Sequence, residues 1–190
     1  MAVNLTKGQR VSLTKENPGL SKVIVGLGWD VNSYEGDAFD LDASAFALNS
    51  EGKCPTDKDF VFFNSTKNAN GSISHSGDNL TGEGEGDDEQ ITVDLANVPA
   101  EIEKVAFAIT IYQADERDQN FGMVDNAFVR VVDANTNSEI IRYDITEDFS
   151  IETALVVGEL YRDKENGWKF AAIGQGFSGG LASLTNKYGL

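Results

Sequence analysis

The sequence of 190 residues predicts an all-β protein, an antiparallel β-sandwich with long acidic loops and one or two short helices. Three observations carry that expectation. Apolar residues recur with a period of two, the pattern of strands that turn one face to a core. Clusters rich in turn-forming residues (N-P-G-L, N-S-E-G, N-A-N-G, D-A-N-T-N and E-N-G) punctuate those runs at short intervals. Only two short segments read as helical. Many strands joined by polar turns bury their apolar faces most readily as two packed sheets.

In chain order, the first strand candidate is Lys22 to Trp29, K-V-I-V-G-L-G-W. The next, Phe39 to Leu48, sets Phe39, Leu41, Ala43, Ala45 and Ala47 on one face, while Asp40, Asp42 and Ser44 begin the other. Further candidates are Asp59 to Asn64, Gln90 to Leu95, Lys104 to Tyr112, Ala127 to Asp133, Glu139 to Ile145, Ala154 to Arg162 and Trp168 to Ile173. Helical turns are expected at Leu181 to Tyr188 and at Asp118 to Asp125. Trp29, Trp168 and the eleven phenylalanines are read as core and inter-sheet packing. No internal repeat and no low-complexity linker divides the chain, so residues 1–190 are expected to form one domain.

The net charge of −16 comes from 31 acidic against 15 basic residues, at an ordinary apolar fraction of 41%. Such a field repels polyanions and concentrates cations, which argues against a nucleic-acid partner. Met1 is followed by A-V-N-L-T, with neither a basic nor an apolar leader segment, and no apolar run approaches a membrane span. A cytoplasmic protein is expected, and the N-x-S/T matches at Asn4, Asn64, Asn70 and Asn79 then carry no meaning for glycosylation. Cys54 is the sole cysteine, which excludes an internal disulfide and a thiolate zinc site.

The chemistry concentrates between Ser76 and Glu89, S-G-D-N-L-T-G-E-G-E-G-D-D-E, with six carboxylates and no Lys or Arg. No base other than His75 occurs from Asn68 to Glu103, so nothing local neutralises the loop. Two carboxylates about 4 Å apart repel by roughly 4 kcal/mol at an effective dielectric of 20. A hard cation is the simplest counter-ion. Calcium takes six to eight oxygen ligands in flexible geometry, and Asp, Glu, Asn and glycine-freed carbonyls are what this loop offers, whereas magnesium demands a stricter octahedron. A second acidic patch gathers Asp30, Asp37, Asp40 and Asp42. Asp40 and Asp42 lie two apart on one strand, aimed the same way with Cα atoms roughly 7 Å apart. Should the loop and the patch meet at one end of the sandwich, they form one or two oxygen-lined sites.

Other motifs fail on chemistry. From Asp40 the spacing superficially follows an EF-hand, but Ala45 stands where that loop needs Gly and the segment alternates like a strand. The G-E-G-E-G of Gly82 to Gly86 lacks the last Gly of a dinucleotide loop, and its acids would repel phosphate. No G-x-S-x-G elbow exists for His75 to serve, and the many acids single out no acid and nucleophile pair for glycoside chemistry. His75 is read as a hydrogen-bonding surface residue.

Nearly end to end the chain carries the stretches L-T-K-G-Q, N-P-G-L, G-L-G-W-D, F-D-L-D-A-S, H-S-G-D-N-L-T-G-E-G-E-G-D-D-E, Q-N-F-G, N-A-F-V-R-V-V, G-E-L-Y-R and G-Q-G-F-S-G-G-L. On these residues it resembles the TerD family of bacterial tellurite-resistance and general-stress proteins. The resemblance implies a calcium-binding β-sandwich without catalytic activity, with metal ligands at Asp78, Asn79, Glu85, Asp87, Asp88 and Glu89 of the acidic motif and at Asp40 and Asp42 of D-L-D. Asp30 of G-W-D and Asp115 of Y-Q-A-D-E-R are weaker positions, and Gln113, where relatives carry Asp, weakens the Asp115 to Asp118 loop further. Tellurite is a soft oxyanion whose reduction needs thiolates, so direct detoxification by this acidic, single-cysteine chain is not expected. The expectation is a module that holds calcium at two sites and presents a surface to protein partners in a stress-response complex. Calcium-dependent docking at the inner face of the membrane is the alternative, and a carboxylate-based hydrolase the lesser one.

Overall fold

The computed structural model describes residues 2–30, 39–77, 86–165 and 167–190. Among the described residues, twelve strands build two sheets of six. The first sheet, in spatial order, holds β1 (Val3–Asn4), β10 (Ser138–Asp144), β9 (Phe128–Asp133), β3 (Lys22–Gly28), β7 (Glu89–Asp94) and β6 (Ile73–His75). The second holds β2 (Arg10–Ser12), β12 (Trp168–Phe177), β11 (Ala154–Arg162), β8 (Lys104–Ile111), β4 (Leu41–Leu48) and β5 (Phe60–Val61). Every pairing is antiparallel except the two-residue contact of β1 with β10. Helix α1 (Leu13–Glu16) is a single turn and α2 (Gly180–Tyr188) follows the last strand.

The period-two reading of Phe39 to Leu48 holds: Phe39, Leu41, Ala43, Ala45 and Ala47 all join the main core between the sheets. The opposite face of β4 is buried as well. Phe46 and Leu48 belong to a second core with Phe60, Ala106, Ala108, Ala154 and Val156, over which α2 lays Leu184 and Tyr188. Phe46 stacks on Phe60 at 4.6 Å and tilts against Tyr188 at the same distance. The small alanines of β8 and β11 leave the room that the helix needs.

Three expectations need correction. Asp118 to Asp125 is not a helix; it holds only the 3-10 turn Phe121–Met123, because Asp118 adopts a positive φ of 50° and the Asn120 side chain accepts the Gly122 N–H. Asp59 to Asn64 contributes just two strand residues, since Asp57–Asp59 closes a 3-10 turn through a Thr56 and Asp59 capping box and Phe62 pairs back with Ser65. The last strand continues past Ile173 to Phe177. Among the described residues, no helix is long and apolar enough to cross a membrane.

Candidate functional site

The end of β3 lies between the start of the acidic β7 and β9. In register across the first sheet stand Gln90 on β7, Gly26 on β3 and Arg130 on β9. Gly26 has no side chain, and the Asp87 carboxylate lies over it in the space a methyl would fill. Arg130 therefore grips Asp87 side-on across the intervening strand, Nε to Oδ1 at 2.6 Å and the second nitrogen to Oδ2 at 3.1 Å, while Gln90 Nε2 donates to Oδ2 at 3.1 Å. The remaining Arg130 nitrogen reaches Glu139 at 3.1 Å. Two charge-assisted bonds of this fork geometry fix the carboxylate's orientation, and the two carboxylates hold the guanidinium above its ordinary pKa.

Asp88 turns to the strand end. Its backbone N–H donates to Leu27 O at 2.8 Å, and Oδ2 accepts the Trp29 N–H at 2.9 Å. Burial pushes its carboxyl above the ordinary value; the Trp29 N–H pulls it down, and Asp87, Glu89 and Asp30 push it up again. Asp30 is tied by its own N–H to Asp125 O and by its Oδ2 to the Asn126 amide at 2.5 Å. Asp30, Asp87, Asp88 and Glu89 are thus gathered at one end of the sandwich.

Glu89 is the first residue of β7, faces inward and is fully buried. It crosses between the sheets to accept the Ala43 N–H of β4 at 2.5 Å and stands 3.2 Å from His75 Nε2. Gly77 donates to His75 Nδ1 at 3.0 Å, so the hydrogen-bond network assigns the ring proton to Nε2, which donates to Glu89. His75 is hydrogen-bonded, as expected, but it is 7% exposed rather than a surface residue, because β6 points it into the inter-sheet space.

The second sheet holds the other candidates. Asp42 lies on the face of β4 turned away from the main core, and Asp40 directly precedes the strand, its carbonyl accepting the Tyr112 N–H at 2.8 Å. Asp42 lies at the wall of a cleft of about 390 Å³ that Thr110, Tyr112, Asp115, Glu116 and Leu181 also line. Asp115 belongs to a turn in which the Glu116 and Arg117 N–H groups both donate to Gln113 O. The structure thus divides the expected ligands between the Asp30 and Asp88 end and the Asp42 and Asp115 cleft, while Asp78, Asn79 and Glu85 lie outside the described residues, as does Asp37.

The sequence missed the non-local cation. No base lies near the loop in the chain, yet Arg130, 43 positions from Asp87, neutralises part of it. The only signal was Gly26 inside a strand pattern, a mark of close approach by another group. Asn126 and the Ala43 N–H had no recognisable signature.

A model of the TerD domain matches residues 1–188. The chain is 60% identical over 192 residues to General stress protein 16U of Bacillus subtilis (strain 168), covering 100% of this chain and 98% of that one. It is 52% identical over 191 residues to Tellurium resistance protein TerD of Serratia marcescens, again covering 100% and 98%. Among solved structures, a homologue of telluride resistance protein (TerD) from Streptomyces coelicolor A3(2) superposes with a TM-score of 0.69 at 24% identity, over 88% of this chain and 96% of its own, a likeness of fold. With the family model spanning nearly its whole length and relatives this similar, the chain belongs to the TerD family of tellurium-resistance and stress-response proteins.

Proposed function

We propose that this chain is a calcium-binding stress-response module that works by binding rather than by catalysis. The observation that supports the reading best is Asp88: its carboxyl is partly buried and faces the fields of Asp87, Glu89 and Asp30, while the nearby guanidinium of Arg130 is committed to Asp87 and Glu139. A cation relieves that arrangement. The donors are carboxylate, amide and carbonyl oxygens, which suit calcium and not a soft metal. Asp30 and Asp88 would hold one ion together with Asp78, Asn79 and Glu85 of the acidic motif, and Asp40 with Asp42 a second. Asp87 and Glu89 serve the frame, one pinned to Arg130 and the other bridging the sheets. Cys54 is 7% exposed and its thiol is pushed up to about 12, chiefly by burial, so it offers no thiolate to reduce a metalloid oxyanion.

An ion binding only the folded chain stabilises it by about 2.7 kcal/mol at one hundred times the dissociation constant. For a domain of this size that raises the thermal midpoint by about 5–10 °C. Thermal unfolding of chelator-stripped protein against added calcium tests the proposal; a midpoint that calcium leaves unmoved refutes it.

A further inference from the structure

We infer that the end of the sandwich formed by the 112–123 and 150–153 segments is a docking surface for a basic, apolar-studded segment of a partner protein. Large apolar side chains are exposed there: Tyr112 and Met123 at 44% each and Ile151 at 72%. They belong to adjoining loops. Phe121 N–H donates to Glu152 O at 2.9 Å, Ile111 N–H to Thr153 O at 3.1 Å, and a Cβ on Gly122 would stand 2.8 Å from Ser150 Cα. Beside them Asp115 and Glu116 line the cleft against Tyr112, and Leu181 and Ala182 of α2 supply its apolar wall.

The chemistry selects the occupant. The ion proposed at Asp40 and Asp42 would take only oxygen ligands and leave Tyr112, Leu181 and Ala182 unused, whereas a Lys or Arg side chain lays its apolar stem on such walls and leaves its charge to Asp115 and Glu116. The Tyr112 ring already receives one cation, the Arg117 guanidinium, 5.6 Å from its centroid. The surface is preformed. Gln113 and Asp118, both non-glycine, hold φ of 50°, and the turn between them is closed by bonds from Glu116 and Arg117 to Gln113 O and from Gln119 to Ala114 O. Strained positions held by tight local bonding are characteristic of binding loops. Charge complementarity to an acidic rim then steers a basic partner and the exposed apolar groups retain it.

The inference rests on the reading of the chain as a binding module but not on calcium, so its test is run in chelator and a failure of calcium binding leaves it standing. The probe is a fluorescein-labelled peptide of about twelve residues alternating Lys and Leu, followed by anisotropy against the full chain. The double variant Asp115→Asn/Glu116→Gln should weaken binding at least about tenfold, and Ile151→Ser at least about threefold. Asp57→Asn/Glu101→Gln removes the same charge from exposed positions elsewhere and should change affinity less than about twofold. Thermal midpoints within a degree or so of the parent certify that the variants fold. Equal weakening by both double variants, an unaffected Ile151→Ser, or no peptide binding at all overturns the inference.

Discussion

Removing the Glu89 carboxylate should destabilise the fold without any metal being involved. Its Oε2 takes two buried donors, the Ala43 N–H from the opposite sheet and the His75 Nε2–H, and the residue is fully buried. Glu89→Ala leaves both donors without that acceptor. Each orphaned buried donor costs about 1–3 kcal/mol, and the relief of no longer burying a charge offsets part of that. A net loss of about 2–4 kcal/mol follows, a large part of the stability of an ordinary domain. Glu89→Gln keeps the volume, and its carbonyl oxygen in the place of Oε2 still accepts both donors with only the charge removed, so its loss should be smaller, under about 1.5 kcal/mol. Urea denaturation at neutral pH in chelator, with unchanged slopes, measures both. A loss under about 1 kcal/mol for Glu89→Ala would show that the inter-sheet bridge is not what holds this end closed.

Gly26→Ala should cost about 1–3 kcal/mol, because the new methyl overlaps the Asp87 carboxylate and displaces it from Arg130; the companion Arg130→Met should show little further loss in the Gly26→Ala background, measured by a double-mutant cycle. The raised carboxyl of Asp88 means that the folded, calcium-free chain holds this proton to higher pH than the unfolded chain does. The group therefore carries no penalty below its unfolded pKa and a growing one as pH rises through the folded value. Asp88→Asn, which keeps an oxygen for the Trp29 N–H, should stabilise the calcium-free protein at neutral pH and have little effect in acid, seen as a difference between two pH-stability curves. Cys54, pushed up to about 12 by burial and secondarily by Asp59, should resist thiol reagents at pH 8 in the folded protein and react at once in denaturant; rapid labelling of the native chain would contradict its packing against the second core.

Alternation made the main core legible. Phe39, Leu41, Ala43, Ala45 and Ala47 were placed on their correct face from the sequence, since a half-buried strand writes its burial every second residue. The second core was not legible. Phe46 and Leu48 fall on what reads as the solvent face, and only the return of α2 from the far end of the chain covers them. The short edge strands Arg10–Ser12 and Ile73–His75 escaped notice because two or three residues carry no periodicity. At the site, local composition marked the acidic run, of which Asp87, Asp88 and Glu89 lie among the described residues, but not the Arg130 guanidinium beside it. Arg130 reaches Asp87 because Gly26 omits a side chain on the strand between them, a relation that exists only once β9, β3 and β7 are paired. Likewise, a histidine beside acids looked like a surface residue until the inward face of β6 was known.

Calorimetric titration of the chelator-stripped chain with calcium, and then with magnesium, tests the functional reading most directly. The expected result is saturable calcium binding at two sites, markedly stronger than magnesium, with one site lost in Asp88→Asn and both retained in Asp115→Asn. No calcium heat, or a calcium isotherm indifferent to Asp88, would contradict it.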